Sequence, residues 1–85
     1  MQSSTVDSLL ALATDVLAQS EARQRAARRL YQTVHDMQRS LVQSRGPDAL
    51  QMQKLRDQTS IIRELGDAER ALLDEVDSAL TQLGR

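Results

Sequence analysis

Residues 44–48 read Ser44-Arg45-Gly46-Pro47-Asp48, and this stretch divides the chain into two arms. Gly46 suits the left-handed backbone that ends a helix. Pro47, the single proline of the chain, suits the first position of the next helix, where Asp48 complements the exposed N–H groups. Working outward, Ser4 and Asp7 resemble a weak capping box opening the first arm, and Gly84 closes the second. The pattern predicts a helix over about residues 5–44, a turn at 45–47, and a helix over about 47–83, forming one domain over 1–85.

The arms repeat their apolar residues in heptads. In the first, Val6, Ala13, Ala27, Val34 and Leu41 form one row and Leu9, Val16, Leu30 and Met37 the other, with Leu10, Leu17 and Tyr31 widening the seam. In the second, Leu55, Ile62, Val76 and Leu83 alternate with Leu65, Leu72 and Ala79, flanked by Leu73 and Leu80. A 3.5-residue repeat demands helices packed side by side, and a short connection makes them antiparallel. The expected fold is all-α: an antiparallel helical hairpin with coiled-coil-like packing.

Composition agrees. Ala, Glu, Lys, Leu and Arg make up 38 of 85 residues, with no Phe, no Trp and one Tyr. β-Branched and aromatic residues are too scarce for a packed sheet. The absence of cysteine excludes disulfides, thiol catalysis and thiolate metal sites. Net charge is −1, so no overall field favours nucleic acid or anionic lipid. The first 22 residues hold no Lys or Arg, unlike a signal peptide. No apolar run is long enough to span a bilayer. A cytoplasmic chain is expected.

If the turn centres near residue 46 or 47, residue i lies level with residue 93 − i, which sets Gly66 opposite Ala26 and Ala27. Close backbone approach is one explanation of Gly66. The alternative is a helix end at Leu65-Gly66-Asp67 with Asp67 as an N-cap, giving three helices. The same register brings Arg23, Arg25, Arg28 and Arg29 opposite Glu64, Asp67, Glu69, Asp74 and Glu75. Such pairs contribute more to rejecting wrong registers than to stability. Ser20 and Arg23 fall at nominal core positions. They read either as a polar layer that specifies register or as a locally wet segment.

Two helices cover only one side of each other, and near the open end the apolar stripe is wider than their seam. Leu9, Leu10, Leu12, Val16 and Leu17 face Leu72, Leu73, Val76, Leu80 and Leu83, a surplus that calls for a partner protein or a second copy. With Tyr31 as an aromatic anchor, these are the candidate partner-binding residues.

Other features point less far. Arg23-Gln24-Arg25-Ala26-Ala27-Arg28-Arg29 has the charge to meet phosphates, but no aromatic interleaves it and the facing arm is acidic, so an ion-paired face competes with nucleic-acid binding. His35 is the single histidine, and Asp74, Glu75 and Asp77 read as a solvated acidic face. Met37 and Met52 read as adaptable filler near the closed end. No nucleophile–base set, metal-ligand spacing or phosphate loop is present, so no catalysis and no cofactor is expected.

In size, in the Gly46-Pro47-Asp48 turn, and in the Ala26-Ala27-Arg28-Arg29-Leu30 stretch, the chain resembles the small YscE-like hairpin chaperones of bacterial type III secretion systems. The resemblance runs from Val6-Asp7-Ser8-Leu9-Leu10 to Ala79-Leu80-Thr81-Gln82-Leu83. It implies a cytoplasmic, non-catalytic chaperone or co-chaperone that works with a helical-repeat protein to hold a needle subunit before export. Two other readings stand beside it: a homo-oligomeric helical bundle or structural adaptor, and a helical regulator using its arginines on nucleic acid.

Overall fold

The computed structural model describes residues 2–41 and 48–84, with side chains described over 5–39 and 48–84. Helix α1 spans Gln2–Leu41 and helix α2 spans Ala49–Leu83, packed antiparallel into a rod of 64 × 15 × 15 Å. The expected helical hairpin is the fold. Its turn, including Gly46 and Pro47, lies outside the described residues.

The ends differ from expectation in instructive ways. α2 starts at Ala49 because Asp48, in extended backbone, is itself the N-cap. Its carboxylate accepts from the Gln51 N–H at 2.8 Å, and the Gln51 side chain accepts from the Asp48 N–H at 3.0 Å. The capping box thus opens the second arm. Ser4 lies inside the first turns of α1, which begins at Gln2, so it is no cap. Gly84 does close α2, its N–H donating to the Leu80 carbonyl at 3.0 Å, but with right-handed backbone at φ −71°.

α2 runs unbroken through Gly66, which removes the three-helix alternative. Close approach does not explain this glycine either. A Cβ built there meets only Arg23 Cδ, at an ordinary 3.9 Å.

The seam follows a strict three–four alternation. On α1 the seam residues are Leu9, Leu12, Val16, Gln19, Arg23, Ala26, Leu30, Thr33 and Met37, all partly covered except the buried Ala26. On α2 it is Gln51, Leu55, Gln58, Ile62, Leu65, Glu69, Leu72, Val76 and Ala79. The Leu9 row was expected to pair with the Val6 row, but its other neighbour, the Leu12 row, faces α2 instead. Cross-arm bonds fix that rotation. Arg23 Nε donates to Glu69 Oε2 at 2.8 Å, and Gln58 Nε2 donates to Thr33 Oγ1 at 3.0 Å. These pairs set residue i level with 92 − i or 91 − i, within two residues of the expected register.

The core is thin. Among the described residues Ala26, 7% exposed, is the one that counts as buried. The accessible surface is 6806 Å², against about 5,000 Å² for a globular monomer of this mass.

A candidate protein-docking surface

In an antiparallel pair, the residues that immediately follow seam residues lie on the same side of both helices, because each helix turns the same way along its own direction. On α1 these include Val6, Leu10, Ala13 and Leu17, then Ala27, Tyr31 and Val34. On α2 they include Leu73 and Leu80 toward the open end and Arg56, Arg63 and Arg70 toward the turn. One flank of the rod is therefore aliphatic at its open end and mixed aromatic and basic beyond it.

The seam leaves this flank uncovered. Leu10 is 67% exposed, Leu17 59%, Leu73 46% and Leu80 51%. By the cross-arm register Leu10 is about level with Leu80, and Leu17 with Leu73. Four large aliphatic side chains thus form two rungs on one face, with Val6 beside the outer rung.

The sequence-derived candidates divide accordingly. Leu9, Leu12, Val16, Leu72 and Val76 sit in the seam, half-buried, and hold the arms together. Leu10, Leu17, Tyr31, Leu73 and Leu80 stand on the exposed flank, and Leu83 is exposed at the end of α2. Val6 and Val34, expected in the seam, are exposed on that flank. Tyr31 stacks on His35, with ring centroids 6.0 Å apart, rather than filling the seam. Met37 is half-buried in the seam, whereas Met52 is exposed.

The polar middle of α1 is a built layer. Arg23 reaches across the seam to Glu69, whose carboxylate side chain is 18% exposed. Gln19 contributes a buried Oε1 without a hydrogen-bond partner, as does Gln58. The expected arginine–acid complementarity reduces, among the described residues, to the single cross-arm pair Arg23–Glu69. Arg25, Arg28 and Arg29 are exposed, as are Glu64, Asp67, Asp74 and Glu75. Arg25, Arg28, Glu64, Asp67 and Asp74 lie on rows turned away from the facing arm, and Arg29 borders the inter-arm groove beside Lys54 and Asp57 without forming an ion pair with a described residue, which is why charge matched in register fails to pair.

The opposite flank holds an open groove of about 440 Å³ between Arg29, Lys54 and Asp57, with Ala26, Leu50 and Ile61 as its apolar residues. Charges interrupt it, and its α1 side offers no aliphatic rung. Among the described residues no cluster of His, Asp or Glu side chains gathers to hold a metal, and no helix is long and apolar enough to cross a membrane.

No family model, no curated protein and no solved structure matches the chain. The likeness to secretion chaperones therefore rests on size, the turn sequence, the Ala26-Ala27-Arg28-Arg29-Leu30 stretch and the hairpin shape.

Proposed function

We propose that this protein is a non-catalytic docking module that binds another protein through the open end of one flank. The observation that carries the reading is the pair of exposed rungs, Leu10 with Leu80 and Leu17 with Leu73, in a hairpin that has already closed its own seam. Contiguous apolar surface of this kind marks interaction sites in folded proteins. A straight two-helix groove is suited to an amphipathic helix laid along it. The more specific form is the one the resemblance implies: a cytoplasmic chaperone or co-chaperone holding a type III secretion subunit in an export-ready state. Hairpin shape, chain length and an unpartnered aliphatic flank support that form.

The test compares co-purification from the native cell extract by the wild type, Leu10→Asp and Leu73→Asp, with the mass of each complex measured under native conditions. The expected outcome is a stoichiometric partner on the wild type, lost from both variants, with helicity by circular dichroism unchanged. A partner retained by both variants removes the flank from the binding site. For the chaperone form, the partner is a small secreted subunit that aggregates when expressed without this chain.

A further inference from the structure

The basic half of the same flank specifies the partner's charge. Arg56, Arg63 and Arg70 each follow a seam residue, repeat at heptad spacing, and so stand about 10 Å apart in a line along α2. All three are exposed, and none makes an ion pair or hydrogen bond within the described structure. Between Arg56 and Arg63 an open groove of about 400 Å³ is floored by Met52, Leu55, Thr59 and Ser60. Asp67 and Asp74 lie in the next row outward, away from the groove between the arms, and Asp77 ends the arginine line toward the open end.

The aliphatic rungs occupy only the open half of a rod 64 Å long, so a helix laid along the groove from Leu10 and Leu80 runs on beside the arginines. A second copy laid parallel sets its three arginines against these three, and one laid antiparallel sets them against Leu10, Leu17, Leu73 and Leu80, so either arrangement leaves the guanidinium charges without acidic partners. The geometry points to a different chain: an amphipathic helix in the groove of this flank, its apolar stripe on Leu10, Leu17, Leu73 and Leu80. Its acidic residues, repeated at heptad spacing, meet Arg56, Arg63 and Arg70. This rests on the docking reading above and adds the partner's chemistry to it.

Two synthetic helical peptides of about four heptads serve as probes. They share a Leu/Ala stripe and differ in three heptad-spaced positions beside it, Glu in one and Lys in the other. Binding is followed by fluorescence anisotropy, and the oligomeric state of the free chain by sedimentation. The Glu peptide is expected to bind at least about tenfold more tightly at low salt. The gap should close near about 1 M salt, where the screening length is about 3 Å. Arg56→Glu/Arg63→Glu/Arg70→Glu should invert the preference, and Arg63→Glu alone provides the same readout if the triple variant loses helicity. Equal binding of the two peptides overturns the acidic partner while leaving docking intact. Binding of neither by a monomeric chain overturns both readings. A stable homodimer dispersed by Leu10→Asp assigns the flank to a second copy and overturns the proposal.

Discussion

From Leu9 to Val16 the seam of α1 is aliphatic, and the matching stretch of α2 offers Leu72, Val76 and Ala79. From Gln19 to Thr33 the same seam carries Gln19, Arg23 and Thr33, and α2 answers with Glu69 and Gln58. The two stretches do different work. Aliphatic burial is non-directional, so sliding one helix by a heptad would still set leucine against leucine. Hydrogen bonds and ion pairs are directional, so the same slide would break both Arg23–Glu69 and Thr33–Gln58. The open half holds the arms together, and the middle tells them where to meet.

A charge placed in the aliphatic stretch should do the most damage. Val16→Asp sets a carboxylate in the seam without a partner and is expected to cost about 3 kcal/mol. Leu17→Asp, one residue away on the exposed flank, should stay within about 0.5 kcal/mol. Paired urea or thermal melts followed by circular dichroism measure both; equal losses would erase the distinction between seam and flank.

The middle responds in the opposite direction. Gln19→Leu removes a buried oxygen that has no hydrogen-bond partner. It is expected to stabilise the hairpin by about 1–2 kcal/mol. A lower melting temperature for this variant would show that the Gln19 side chain is satisfied by water and that the polar layer stabilises in its own right.

Gly66→Ala gives the smallest change and sharpens the account of α2. The site is mid-helix, with room for a methyl group, so the substitution should add somewhat under about 1 kcal/mol. A destabilised variant would mean that α2 approaches α1 there more closely than the Arg23 contact indicates.

Much of this was legible in the chain. Heptad spacing and the Gly46-Pro47-Asp48 stretch predict two antiparallel helices, and the register expected from the turn is within two residues of that seen. The rotation of α1 was not legible. The Val6 row and the Leu12 row flank the Leu9 row symmetrically, and both carry aliphatic residues, so periodicity alone does not choose between them. The arginine line on α2 was available as a spacing at 56, 63 and 70. It acquired meaning only once those positions were seen to share a flank with Leu10 and Leu17.

By itself the sequence determined that two long helices form and fold back on each other, because apolar period, capping chemistry and a proline break act over a few residues. Which leucines close the hairpin and which remain exposed was decided only by the tertiary structure. That choice depends on pairings such as Arg23 with Glu69, between residues far apart in the chain. A helix exposes the same sequence pattern whichever way it is rolled until another helix is laid against it.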